Sequence, residues 1–323
     1  MTCVLITGGA GYIGSHAVYA FLEAGHDVVV IDDLSTGVRA NLPQGIPFHE
    51  GRVGDRDLIE RVIRAHRPEG LVHFAGSVVV PESVADPVKY YRNNTSGSLE
   101  LLDAATAHGI GHIVFSSTAA VYGVPERVPV AETAPLRPIN PYGWSKLFFE
   151  QQLRDLAAAR GVVYGILRYF NVAGADPKGR TGQSGPAATH LIRVACQVAA
   201  GLRPSMSVFG TDYATRDGTC IRDYMDVTDL ADAHVAVYRH IRAGGSAVFN
   251  CGNGRGYSVL EVLRAVEKEA GQPLDTAFAA RRPGDPPELV ADPSLLLRML
   301  PWRPKRTLAD MVATALAWER RRR

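Results

Sequence analysis

Tyr142 and Lys146 stand four residues apart, so on a helix they share one face. A free phenol has a pKa near ~10 and is a poor base at neutral pH. An ammonium one turn away favours the phenolate, and the pair can then act as a general base toward a hydroxyl. Lys146 is one of only five lysines, against 30 arginines. Arginine's planar fork is a poor substitute for a compact ammonium. The run Ser116-Ser117-Thr118 supplies hydroxyls, and Thr118 could share a proton with Tyr142 and a substrate hydroxyl. On its own such a run reads as turn capping.

Gly8, Gly11 and Gly14 form a second constellation, spaced G-x-x-G-x-x-G between a short apolar run and a helical stretch. Glycines there let the backbone approach a pyrophosphate at a helix N-terminus. Asp32 follows Gly14 by 18 residues, near the ~20 expected of an acid that binds a ribose 2′-hydroxyl. Asp33 beside it would repel a 2′-phosphate, which favours NAD over NADP. The positive nicotinamide of NAD would further stabilise a Tyr142 phenolate.

The elements that must carry these residues alternate strand and helix. Strands are expected at 4–7, 28–31, 71–74, 113–115 and 162–167. Helices are expected at 12–24, 57–65, 94–107 and 142–159. Asn140 is a good N-cap, and Pro141 suits the first turn of the last of these. Apolar runs without strict alternation read as strands buried on both faces of a doubly wound parallel sheet. Thr118 closes the 113–115 strand, at the carboxyl edge where ligands bind in such sheets. Beyond Asn171 the pattern loosens, with a Gly/Asp/Pro-rich excursion at 174–185. Helices near 189–200, 230–241, 259–270 and 308–318 follow, with a strand at 247–250. The expected division is an NAD-binding domain over 1–170, rejoined by 229–256, and a substrate domain over 171–228 and 257–323.

Composition removes other classes. The chain has 323 residues, a net charge of +2 and 46% apolar residues. That argues against nucleic acid as the main partner, since phosphate binding needs a clustered basic excess. No apolar run approaches the ~18 residues of a membrane span. The first residues lack the basic segment of a signal peptide. Four scattered cysteines suit a reducing cytoplasm, and no metal site is expected. The Arg320–Arg323 tail reads as a solvated terminus.

Longer segments then join these features: 7–16, 32–37, 73–76, 140–146, 167–175, 209–213, 217–224, 229–231, 254–258 and 281–285. With them the chain resembles the extended short-chain dehydrogenase/reductase superfamily, most closely its UDP-hexose 4-epimerases. The resemblance implies a Rossmann-type doubly wound parallel sheet with a smaller mixed α/β C-terminal substrate domain. It implies tightly bound NAD held by Gly8, Gly11, Tyr12, Ile13, Gly14, Asp32, Asp33, Leu34, Ser35, Thr36 and Gly37. The same site would include Asp55, Arg56, Phe74, Ala75, Gly76, Ser77, Asn94, Thr118, Tyr142, Lys146 and Phe170, with Asp55 reading the adenine. Thr118, Tyr142 and Lys146 would be catalytic. Thr118, Tyr142, Asn171, His190, Ser207, Val208, Phe209, Arg222, Arg282, Asp285 and Leu289 would hold the UDP-sugar. A blander reading of Arg222 and Arg282 is a surface ion pair with Asp223 or Asp285.

The implied activity is reversible C4 epimerisation of a UDP-hexose through a 4-keto intermediate, in galactose metabolism or polysaccharide supply. By the same resemblance, homodimers would form through helices 94–107 and 148–159. Related dehydratases and UDP-glucuronate decarboxylases carry acids where this chain has Ala119 and Ala120. A UDP-glucuronate 4-epimerase would carry a different segment at Arg168–Asn171. A non-catalytic NAD sensor on this fold would not need Thr118, Tyr142 and Lys146 intact. Four positions depart from the pattern: Thr118 in place of Ser, Val78 in place of a lysine, Met225-Asp226 in place of a His, and Leu289. A large Tyr at the last position excludes N-acetylated sugars and a small residue admits them; leucine leaves both open.

Overall fold

The computed structural model describes residues 2–185, 189–282 and 285–322. Pro283 and Gly284 of the 281–285 segment, and Arg323 of the tail, lie outside the described residues.

The larger lobe contains β1 (Cys3–Thr7), α1 (Tyr12–Glu23), β2 (Asp27–Asp32), β3 (Phe48–Glu50), α2 (Arg56–His66) and β4 (Gly70–His73). It continues with α3 (Val80–Ala85), α4 (Pro87–Tyr90), α5 (Ser98–Ala107), β5 (His112–Ser116), α6 (Pro141–Arg160) and β6 (Val163–Tyr169). The smaller lobe adds β7 (Asn171–Ala173), α7 (Leu191–Ala199), β8 (Met206–Phe209) and β9 (Ile221–Asp226). Then come α8 (Val227–Arg242), β10 (Ala247–Cys251), β11 (Gly256–Ser258), α9 (Val259–Ala270), β12 (Thr276–Ala279), β13 (Glu288–Leu289), α10 (Ser294–Met299) and α11 (Leu308–Arg321).

Seven strands form one parallel sheet in the order β10-β6-β5-β4-β1-β2-β3. Successive side chains of a strand point to opposite faces. Val4, Ile6, Val28 and Val30 therefore join the core under α1 and α8, while Leu5, Val29 and Ile31 join the core under α2, α5 and α6. The order reverses between β1 and β4. Their carboxyl ends stay paired as far as Thr7 and His73; the connections that leave them run to opposite faces of the sheet, which opens the crevice that binds ligands in doubly wound sheets. β10 pairs with β6 from far along the chain.

The smaller lobe centres on β9, flanked by β7, β11 and β13. β8 and β12 form a separate parallel pair. α7, α9 and α11 close its own core.

Two features depart from the sequence reading. The helix expected from residue 94 begins with a π-helical segment, Tyr91–Gly97, before α5. Asn94 lies inside it, where the extra residue per turn re-aims a side chain. Leu296, Leu300 and Trp302 fall in the stretch assigned to the substrate domain, yet they pack into the core of the larger sheet. Trp302 also donates its indole N–H to the Asp229 carbonyl at 3.1 Å.

Candidate active site

The glycine loop runs from β1 into α1. Gly8 has φ +71°, and a Cβ there would sit 2.5 Å from the Ala75 nitrogen. A Cβ on Gly14 would meet the Gly8 carbonyl oxygen. Both contacts are with backbone, which cannot swing aside. Gly11 is the N-cap of α1 and offers no capping side chain, and no acid occupies the first turn. The first-turn amides, Tyr12 and Ile13 among them, have no intrahelical acceptor. An anion meets the first-turn amides here with no acid in the turn itself, so the cradle fits a dinucleotide pyrophosphate. Gly14→Ala should consequently yield protein that purifies without NAD; the ratio of NAD released on denaturation to protein measures this.

Asp32 ends β2, buried, and its carboxylate spans the loops. Oδ2 accepts from Ala10 N and Oδ1 from Leu34 N, each at 2.9 Å. Burial raises its pKa, against those amide hydrogen bonds. A Cβ on Gly37 would come 2.8 Å from Asp32 Oδ1, so Leu34, Ser35, Thr36 and Gly37 wrap closely around this acid. Asp33 is exposed and caps Ser35. Tyr12 turns its phenol away from the loop and donates to the Gly174 carbonyl at 2.6 Å, tying α1 to the chain beyond β7. Asp55 is the N-cap of α2, accepting from Leu58 N.

Asn94 is a brace. Its amide bonds both backbone groups of Ser77 and donates to Ser145 Oγ at 3.0 Å, tying the Gly76–Ser77 turn to α6. Gly76 lies beneath, where a Cβ would be 3.7 Å from Lys146 Nζ. Phe74 and Ala75 pack on the two sheet cores. Arg56 differs: its guanidinium is held by Glu60, Glu100 and Asp103 on α2 and α5. Its side chain is 42% exposed, on the surface between those helices.

α6 carries Tyr142 in its first turn, with Asn140 capping through Gly143 N at 2.9 Å. Tyr142 and Lys146 are both buried. Thr118 ends the extended segment after β5, opens the 3-10 turn Ala119–Tyr122 and accepts from Ala120 N. Its hydroxyl also lies near enough to the Tyr142 phenol to favour the ionised form. Capping and facing the phenol are thus compatible.

Burial raises the phenol's pKa, and the Thr118 hydrogen bond opposes that rise. Lys146 aims Nζ at the Ser116 carbonyl, 3.0 Å away, over the Phe115 ring. Burial pushes it down to about 8, while Glu150 favours its charged form.

In the smaller lobe, Arg222 on β9 is buried and its guanidinium pairs with Asp285 at 2.5 Å. Asp223 plays no part in that pair. It is fully buried, accepts from the amides of Asn253, Gly254 and Ala291, and is pushed up to about 6 by burial. Leu289 is in register with Arg222 and packs beside Phe170, Tyr122 and Val130. Arg282 stacks over the Phe209 ring at 4.0 Å. Ser207, Val208 and Phe209 lie on β8, with Val208 turned into the core. Asn171 opens β7 opposite Tyr224. His190 heads α7 with Nδ1 2.5 Å from Gln183 Nε2. Sequence reasoning missed Glu150 and Arg168, although 142, 146 and 150 follow a helical period of four.

Comparison with known proteins agrees with this geometry. The NAD dependent epimerase/dehydratase family model matches residues 4–252, and the chain belongs to that family. Within it, the chain is similar over nearly its full length to UDP-glucose 4-epimerases. The enzyme of Azospirillum brasilense is 58% identical, covering 98% of this chain and 92% of its own. The crystal structure of the Stenotrophomonas maltophila enzyme, with bound NAD and formylated UDP-arabinopyranose, is 39% identical. It covers 100% of this chain and 99% of its own, with a TM-score of 0.96. The Bifidobacterium longum enzyme, in complex with NAD+ and UDP, is 41% identical, covers 98% of each chain and has a TM-score of 0.94.

Proposed function

We infer that this chain interconverts UDP-glucose and UDP-galactose by epimerisation at C4 with NAD held in the β1–α1 cradle. The observation that carries the reading is the buried Tyr142 phenol facing Thr118, with Lys146 one turn on, at the carboxyl edge of the sheet. Tyr142 Oη, as the phenolate, takes the proton of the sugar's C4 hydroxyl and gives it back to O4 when the hydride returns to C4, and Thr118 bridges the two oxygens. Bound NAD supplies the hydride acceptor for C4 and returns the hydride to the opposite face of the same carbon. The 4-keto sugar turns over between these events while the UDP moiety stays fixed. Arg222 and Arg282 supply charge-assisted donors to the pyrophosphate. The nucleotide provides remote binding energy, and the sugar itself is held loosely.

The test is direct. Purified protein given UDP-galactose should form UDP-glucose, and its denatured supernatant should contain NAD. Neither product nor NAD would overturn the reading. Arg222→Leu should raise KM for the UDP-sugar by about 10-fold to 100-fold, with a smaller change in kcat, because hydrogen bonds to charged groups are worth roughly 1.5–3 kcal/mol. Steady-state kinetics decide it. Leu289 makes UDP-N-acetylgalactosamine, UDP-arabinose and UDP-glucuronate the informative competing substrates.

The role extends to galactose metabolism or UDP-galactose supply for polysaccharides, in the cytoplasm. A homodimer is the proposed assembly. Leu99 of α5 and Trp144 and Phe148 of α6 are exposed, which gives two helices an apolar surface to bury.

A further inference from the structure

A buried ion pair stands behind the proposed catalytic residues. Glu150 lies on α6, one turn beyond Lys146, and its side chain is fully buried. Arg168 on β6 donates to it twice, through Nε at 2.9 Å and Nη2 at 2.6 Å. Arg154 adds a third bond, at 2.9 Å.

The pair grips the Thr118 segment on both sides. Before it, Ser117 Oγ donates to Glu150 Oε1 at 2.6 Å. After it, Arg168 Nη1 donates to the Tyr122 hydroxyl at 3.0 Å, and Tyr122 donates to Asn250 Oδ1 at 2.7 Å. Ser117 and Tyr122 bracket the 3-10 turn that Thr118 opens. Glu150 belongs to the helix that carries Tyr142.

We propose that the Glu150–Arg168 pair is a clamp that positions Thr118 against Tyr142, with Ser117 and Tyr122 as its two jaws. This rests on the epimerase reading and deepens it. All four are positioning residues that act through Thr118. The phenol is faced by Tyr90 from α4, Tyr169 from β6 and Thr118 from its turn, with Lys146 one turn on along α6. Among these neighbours the Thr118 hydroxyl is the one that favours the phenolate. A slackened clamp therefore leaves Tyr142 harder to ionise.

Ser117→Ala and Tyr122→Phe each cut one jaw while leaving both buried charges in place. Each should lower kcat by about 10-fold to 100-fold, as small misplacements of reacting groups do. KM and bound NAD should not change, and the acid limb of the kcat–pH profile should move to higher pH. In a Thr118→Ala background, Ser117→Ala should cost little further kcat. Normal kcat with an unmoved acid limb in both variants would overturn the clamp. So would a full Ser117→Ala loss on top of Thr118→Ala. An inactive wild-type protein would instead overturn the epimerase reading itself.

Discussion

Tyr142→Phe should lose epimerase activity by about 1,000-fold while keeping its NAD. General acid–base groups typically contribute 10²–10⁴-fold, and the variant deletes only the atom that holds the proton. Phenylalanine preserves the rest. The ring of Tyr142 is buried and meets the Tyr90 ring edge-on, with centroids 6.4 Å apart, and both contacts survive loss of Oη. Lys146 keeps its bond to the Ser116 carbonyl, and the glycine loop is built on β1 and α1, apart from the helix that carries the phenol. NAD content, read from the supernatant of denatured protein, should match wild type, and Tm should stay within a few degrees. Activity within tenfold of wild type would remove Tyr142 from its role. Loss of NAD together with activity would show instead that the variant had disturbed the cradle.

What could be read from sequence was what lies close along the chain. Gly8, Gly11 and Gly14 act within one turn and helix start, and Tyr142 and Lys146 act within one helical turn, so spacing along the chain is spacing in the molecule. The sheet was legible for a similar reason: β1, β2, β4 and β5 are apolar runs buried on both faces. The smaller lobe was not. β9 has the sequence Ile-Arg-Asp-Tyr-Met-Asp, every residue of it buried, and no apolar period announces it as a strand. Its Asp223 is accommodated by the amides of Asn253 and Gly254, about thirty residues on, and its Asp226 by the Thr228 amide and hydroxyl at the start of α8. Arg222 and Asp285, 63 residues apart, were placed together by family resemblance, and only the fold supplies their contact. The π-helical turn around Asn94 was invisible because one extra residue in a turn leaves no periodic signature over seven residues. That Lys146 bonds the Ser116 carbonyl was not legible, because i,i+4 spacing fixes a shared face and leaves open where a long side chain points.

Arg168→Met should destabilise the protein by about 3–5 kcal/mol, the typical cost of leaving one buried charge without its partner. At this chain length that corresponds to a fall in Tm of roughly 10 °C. Arg168 is 2% exposed and Glu150 0%, so water cannot replace the lost guanidinium. Methionine fills much of the volume, so the principal cost is the buried Glu150 carboxylate, left with the partly exposed Arg154 as its one remaining ion-pair partner. The remaining Ser117 and Arg154 donors reach it from one side each. The double variant Arg168→Met with Glu150→Gln should therefore be more stable than Arg168→Met alone, since it removes the orphaned charge and keeps an acceptor for Ser117. Thermal or urea unfolding of the two variants measures the difference. Equal stability of the two, or a single variant indistinguishable from wild type, would mean that the pair carries little electrostatic weight. A pair worth keeping despite its desolvation cost must then be judged by what it holds in place. Here that is the turn bearing Thr118, anchored to the helix bearing Tyr142 by a contact that an apolar replacement could pack but could not orient.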